Sequence, residues 1–539
     1  MKAKACTRCR QWKVGCDADI SGPEGCTRCR DHGLPCTFDR TFRRTATKRK
    51  LADMQAELAE LRKLAKVAPD GGTSATTPAA NIPSVASGQA SLPAPAFASS
   101  SSASAVSNLQ GLCITDKSID DVHLTAAHVN ELFRVYFTRC HPYLPFTMCR
   151  SIESIYDRCP MLFWVICAVA SPDTARPRFE APIRGLMLDV LDPSKESGVE
   201  MVQAILILCM WPFPFNSQKA DSSFIYSGLA TQISLSLGLH RPAVDAGFGN
   251  ETTTTERQGD EEIRRTTWLA CFVVAQIQAS RRGVPAMVSA DYSLLSSLDD
   301  PAVPQELSHL CYISHLTVDA TQALGARGSN TTGLVEPSSR ISMINVFGKQ
   351  FEDLRRQRFP QPTDIVEIFY LNSRLQLWSF ALHNDVPVTA NSVQIIYQAR
   401  EDAIRLIQVA CEKNLSLVPF YTRRSVCYAG LLLYRIKLGS YGCQDDMIEH
   451  HIDAARQALS TSEGPGGPSV GQFLATVTSP DNMDAFTRAS GDKDSPHRSR
   501  MGAFLVFDFH RVYTDLRQAN VFLSTEFLDF DNLPWMEFQ

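Results

Sequence analysis

The chain has 539 residues, 44% of them hydrophobic, and a formal net charge of −4, so it is too long for one ordinary domain and apolar enough for at least one large core. The small net charge averages two unlike parts: residues 1–50 carry thirteen Lys and Arg against five Asp and Glu, which leaves about −12 for the remainder. A basic head on an acidic body points to a polyanion at one end, nucleic acid first. The apolar runs 161–170 and 204–211 fall short of the roughly 20 residues that span a bilayer and read as buried helices. The opening MKAKACTRCR lacks an apolar signal-peptide core, and eleven of the 17 cysteines are scattered singly, so a reducing compartment is expected rather than a disulfide scaffold.

Residues 5–36 read ACTRCRQWKVGCDADISGPEGCTRCRDHGLPC, a C-x2-C-x6-C unit that occurs twice with a nine-residue loop between, placing cysteines at 6, 9, 16, 26, 29 and 36. Paired C-x2-C units in a reducing compartment are zinc ligands. Six thiolates cannot fill two separate tetrahedral sites, which need eight ligand positions, unless two sulfurs bridge. The segment has few large apolar residues to pack, so metal must supply its folding free energy, on the order of 10 kcal/mol for structural zinc.

On these residues the segment resembles the binuclear zinc-cluster (Zn2Cys6) DNA-binding domain of fungal transcription regulators. That resemblance implies an irregular fold with two short helices, two Zn(2+) ions held by Cys6, Cys9, Cys16, Cys26, Cys29 and Cys36, and Cys6 and Cys26 as the bridging pair. It also implies that Lys13 reads the edges of consecutive guanines in CGG-like half-sites, where N7 and O6 accept hydrogen bonds. Arg8, Arg10, Arg28 and Arg30 are expected to meet phosphates, which raises affinity without naming a sequence. Trp12 and Gly15 stand where the family commonly has Lys or Arg, implying fewer phosphate contacts.

Past the cluster domain (1–40), residues 41–50 form a basic linker with Arg43 and Arg44, expected to track phosphates and to serve as a nuclear localisation signal. In 51–68, Leu51, Met54, Leu58, Leu61 and Ala65 recur at 3-4-3-4 spacing, the pattern of a short parallel coiled coil in which Glu57 faces Arg62 of a second copy. A homodimer is therefore expected. Residues 69–115 are rich in Ala, Ser, Thr, Gly and Pro and are read as a disordered tether.

From 116 to 460 the sequence is expected to form a large all-α regulatory domain. LFRVYFTRCHPYLPF (132–146) puts Phe133, Tyr136 and Phe137 on one side of a helix that breaks at Pro142 and Pro145. Ile225, Leu229, Ile233 and Leu237 form an i+4 stripe that Gly238 would close. Together with MVQAILILCMW (201–211), IRRTTW (263–268) and 282–284, these segments resemble the middle-homology domain of the same regulators. Further helices are predicted at 365–382, 396–412, 423–439 and 446–460, with no alternating strand. His240 beside Arg241 reads as a cap or packing residue. No Walker loop, H-E-x-x-H or Gly-rich turn after a strand is present, so no catalytic residue is assigned. Relatives respond to metabolites, which implies a small-molecule effector whose pocket the sequence does not locate.

Residues 461–500 read as a flexible loop. The terminal part, 501–539, reads as a helix followed by VFLSTEFLDFDNLPWMEFQ, whose interleaved carboxylates and aromatics have the composition of an activation tail that docks coactivators. The combined expectation is a nuclear, non-enzymatic RNA polymerase II transcription regulator that binds double-stranded DNA and activates a metabolic or secondary-metabolite pathway. The alternative is a metabolite-responsive repressor or scaffold whose cluster mainly makes protein contacts.

Overall fold

The computed structural model describes residues 5–7, 9, 15–17, 25–32 and 36–37, then 112–518 apart from 192–197, 216–220, 243–253, 329, 440, 442–445, 462–469 and 491–495. The chain divides into two units, Met1–Ala96 and Phe97–Gln539. In the first, helix α1 (Thr27–Asp31) starts after the first cysteine of the second C-x2-C pair, and Thr7 and Cys9 are also helical. Lys13, Arg8, Arg10, Arg43, Arg44, the heptad residues Leu51, Met54, Leu58 and Leu61, and the tail 519–539 lie outside the described residues.

The second unit opens with a small antiparallel hairpin, β1 (Lys117–Ile119) and β2 (Val122–Leu124), in which Ile119 faces Val122 across a two-residue turn. Asp120 takes a left-handed φ of 49° there, as such turns require. The expectation of no strand therefore fails at this one place, because three residues per strand are too few to register as a period.

Helix follows. In α2 (Ala126–Val135) the Thr125 hydroxyl accepts the His128 amide at 3.3 Å, and Phe133, Tyr136 and Phe137 are buried as their spacing predicts. The helix loosens through a π turn at Tyr136–Cys140 and stops where Pro142 enters a 3-10 turn. Next come α3 (Ile152–Arg158), α4 (Pro160–Ala170), α5 (Glu180–Met187) and α6 (Val199–Met210); α4 and α6 are apolar on all sides and buried almost throughout. Among the described residues no helix is long and apolar enough to cross a membrane.

Helix α7 (Ser223–Ser236) corrects the predicted stripe. Ile225 is 71% exposed, and the face turned inward is Ser223, Ser227, Ala230, Thr231 and Ser234 together with Ile233. Small side chains let α7 lie close against α6 and against α8 (Thr254–Arg282). Their hydroxyls satisfy themselves on the preceding turn, Thr231 Oγ1 to Ser227 O at 2.8 Å and Ser234 Oγ to Ala230 O at 2.7 Å. Gly238 does close the helix: at φ 69° its amide reaches Leu235 O, while the Leu239 amide reaches Ser234 O at 2.9 Å. Arg264, from the IRRTTW segment in α8, donates to the exposed end of α7 at Leu237 O, 2.9 Å away.

The short α9 (Tyr292–Ser297) leads to α10 (Gln305–Gly325) and α11 (Pro337–Arg358). Then α12 (Asp364–Ser379), α13 (Ala390–Cys411), α14 (Phe420–Leu438) and α15 (Asp446–Thr461) pack each on the next, at the places the periodicity predicts. Asp402 of α13 pins α12 by accepting from Arg374 Nε at 2.8 Å and from Trp378 Nε1 at 2.6 Å. The stretch 461–500, expected to be a loop, instead contains α16 (Val470–Val477) and α17 (Met483–Ser490), whose Phe473, Leu474, Val477 and Phe486 enter the core. Eight-residue helices of this kind are held by burial rather than by propensity. Helix α18 (Phe504–Gln518) ends the described part.

Candidate metal centre

Two groups of four sulfurs form in the first unit. Cys6, Cys9, Cys16 and Cys26 make one, Cys6, Cys26, Cys29 and Cys36 the other, with the sulfurs of each group within 4.8 Å of one another. Cys6 and Cys26 belong to both, which is the sharing that six ligands in eight positions require. The Sγ atoms of Cys6 and Cys26 are 4.0 Å apart, Cys6 and Cys29 3.8 Å, and Cys9 and Cys26 3.8 Å. Those separations are far beyond a disulfide. They match the roughly 3.8 Å edge of a tetrahedron of thiolates at about 2.3 Å from zinc.

The two halves repeat with an offset of twenty residues. The Cys9 amide donates to Cys6 Sγ at 3.4 Å and the Cys29 amide to Cys26 Sγ at 3.4 Å. The Cys6 amide donates to Cys16 Sγ at 3.3 Å and the Cys26 amide to Cys36 Sγ at 3.4 Å. In the second half the Cys26 sulfur thus caps α1 as it joins the cluster. Burial pushes the Cys6 thiol up, but the Cys9 amide and the neighbouring thiols outweigh it and bring Cys6 down to about 6. The Cys29 amide likewise lowers Cys26, whereas hydrogen bonding to Cys26, with burial, raises Cys29 to about 12. Negative charge therefore settles on the two shared sulfurs, the pair best placed to contact two cations.

Two further clasps close the halves. Asp17, directly after Cys16, accepts the Thr27 amide at 3.1 Å and the Thr27 hydroxyl at 2.5 Å, at the positive end of α1. The Thr7 amide donates to Thr37 O at 2.9 Å. Gly25 has a φ of 92°, and a Cβ there would lie 2.6 Å from Cys36 Cβ. Asp17, Thr27 and Gly25 are site residues that spacing alone did not identify; their only sequence signal is adjacency to a ligand cysteine. Arg28 and Arg30 stand exposed in the last turn of α1.

In the helical unit Arg241 ion-pairs with Asp291 at 2.6 Å, and the His240 ring meets Trp268 at 6.2 Å, so this pair packs rather than reacts. The string Gly467-Pro468-Ser469-Val470-Gly471 has the form of a nucleophile elbow, but such an elbow needs a strand entering the turn. The described strands are those of the hairpin at 117–124.

Residues 4–45 match the Fungal Zn(2)-Cys(6) binuclear cluster domain, and residues 134–303 match the Fungal specific transcription factor domain. The chain is 26% identical over 516 residues to transcriptional regulatory protein SEF1 of Candida albicans, covering 85% of this chain and 56% of that protein. It is 26% identical over 424 residues to regulatory protein LEU3 of Saccharomyces cerevisiae, covering 65% of this chain and 47% of that one. The chain thus spans about half the length of these two relatives. No solved structure matches. Both domains and both relatives are transcription regulators rather than enzymes, and the cluster domain implies two zinc ions, which the sulfur geometry fits. With a paired-sulfur cluster ahead of a helical regulatory unit, the chain belongs to the fungal Zn2Cys6 transcription regulators.

Proposed function

We propose that the protein is a nuclear, sequence-specific DNA-binding regulator of RNA polymerase II transcription that reads CGG-like half-sites as a homodimer and acts as an activator. The observation that carries this reading is the doubled cysteine cluster, in which Cys6 and Cys26 complete both four-sulfur groups. Two zinc ions held by Cys6, Cys9, Cys16, Cys26, Cys29 and Cys36 would serve as cross-links, fixing two short helices that have no apolar core of their own. Those helices present cations outward, as the exposed Arg28 and Arg30 do on α1. Lys13, with Arg8 and Arg10, supplies base and phosphate contacts from the first half, and Arg43 and Arg44 extend the phosphate track. Leu51, Met54, Leu58 and Leu61 join two copies, so that linker and seam set half-site spacing. The terminal acidic-aromatic segment recruits coactivators, and the helical unit receives a small-molecule effector.

A mobility-shift titration tests the core of this reading. Affinity for a CGG-repeat duplex should fall steeply with salt and collapse on zinc chelation or in Cys26→Ala. Lys13→Ala should lose more on that duplex than on a scrambled one. Zinc-independent binding, or equal loss on both duplexes, contradicts it.

A further inference from the structure

A cavity of about 70 Å³ lies inside the helical unit, with room for roughly five water molecules. Helix α8 contributes Gln276 and Arg281 to its wall, α12 contributes Asn372 and Gln376, and α14 contributes Tyr421 and Arg424. The wall is otherwise largely apolar, with Phe369 and Val506 beside Tyr421. A concave apolar site with a few convergent polar groups is the usual form of a ligand pocket.

Arg281 marks what the pocket wants. Its side chain is only 5% exposed and ion-pairs through one nitrogen with the fully buried Asp221, while its Nε and Nη2 have no hydrogen-bond partner among the described residues. Buried guanidinium donors left unmade are costly and rare. The charge around them is also unbalanced. Burial, then the repulsion of Arg281, lowers both Arg282, to about 10, and Arg424, and in each case Asp221 is the opposing carboxylate. Three guanidiniums thus crowd around Asp221 in a dry setting, where an added anion gains most.

The pocket is closed by a pinned turn. Met501 holds a left-handed φ of 45°, and Gly502 O accepts the Tyr428 hydroxyl at 2.5 Å. Gly283, at φ 61°, lies so close that a Cβ would come within 2.1 Å of Arg500 O. Strain of this sort persists where the surroundings over-determine it, and here it holds the lid of the cavity in place.

We propose that this cavity binds a small organic acid, its carboxylate meeting Arg281 and Arg424 and its carbon skeleton lying against Phe369, Tyr421 and Val506. The proposal rests on reading the helical unit as effector-responsive, yet its test measures binding apart from DNA. Thermal melting of the zinc-loaded full chain is followed with malonate, succinate, malate and citrate at matched ionic strength, with succinamide as the uncharged control and inorganic phosphate as the bare oxyanion. At least one acid should raise the Tm in a saturating manner, with succinamide and phosphate inert. Arg424→Gln should weaken the apparent affinity about tenfold or more. Because loss of Arg281 alone would strand Asp221, the paired Asp221→Asn/Arg281→Gln variant serves as the second test and should lose the response as well. No shift with any acid, an equal shift with succinamide, wild-type affinity in both variants, or a response to phosphate alone overturns the proposal. An acid that binds without changing mobility-shift affinity upholds the site while contradicting the effector reading of the unit.

Discussion

At the scale of single residues the cluster depends on one backbone position as much as on its sulfurs. Gly25 occupies the left-handed region and leaves no room for a Cβ beside Cys36, whereas nothing lies within 4 Å of the Cβ position at Gly15. Gly25→Ala should therefore disturb the second half of the cluster, costing about 1–3 kcal/mol in strain and lowering zinc affinity roughly tenfold or more in competition with a chelator. Gly15→Ala should keep wild-type zinc affinity in the same titration. Equal behaviour of the two variants would mean that the close approach at Cys36 does not constrain the site. Asp17 acts at the same scale, joining the chain beyond Cys16 to the start of α1 through two hydrogen bonds.

Among the elements, α7 illustrates how packing overrides pattern. Its larger aliphatics include the exposed Ile225, while Ala230, Thr231 and Ser234 are buried on the side that meets α6 and α8. Close helix approach needs small side chains, and the neighbouring helices supply the apolar bulk. Ala230→Leu should overpack this contact and destabilise the helical unit by about 1–3 kcal/mol in denaturant melts. Ile225→Ala should stay within about 0.5 kcal/mol of wild type. The reverse order of effects would restore the i+4 stripe as the buried face.

The helical unit as a whole should be sensitive to mild acid. Burial lowers His141 and His497 to about 4 each and takes His383 well below its usual value, with the Arg340, Arg498 and Arg435 charges also acting on His383. His141 faces Phe146 O at 2.9 Å and the rings of Tyr136 and Phe137, and His383 stacks on Phe504 at 3.7 Å. These imidazoles are neutral when folded, but in the unfolded chain they take up protons below about pH 6.5. Stability is thus full above that pH and is lost as pH falls from about 6.5 towards 4. Each tenfold difference in proton affinity between the folded and unfolded chain corresponds to about 1.4 kcal/mol, less where solvent screens the ring. Melting temperature should drop between pH 7 and pH 5, and less steeply in His141→Gln. A flat profile over that interval would contradict the burial of these rings.

Sequence alone determined the metal centre, since ligand chemistry demands particular residue types at short, countable separations, and eight positions filled by six thiolates leave no other arithmetic. The long helices α12 to α15 were legible for a related reason: each carries its own apolar period over several turns. Tertiary structure decided the rest. It turned the small face of α7 inward, made helices of 470–477 and 483–490, and brought Arg281, Gln376 and Arg424 from three separate helices to one cavity. None of these has a local signature, because each depends on what stands opposite in space, and burial free energy, which is summed over neighbours, outweighs the propensity of any short segment.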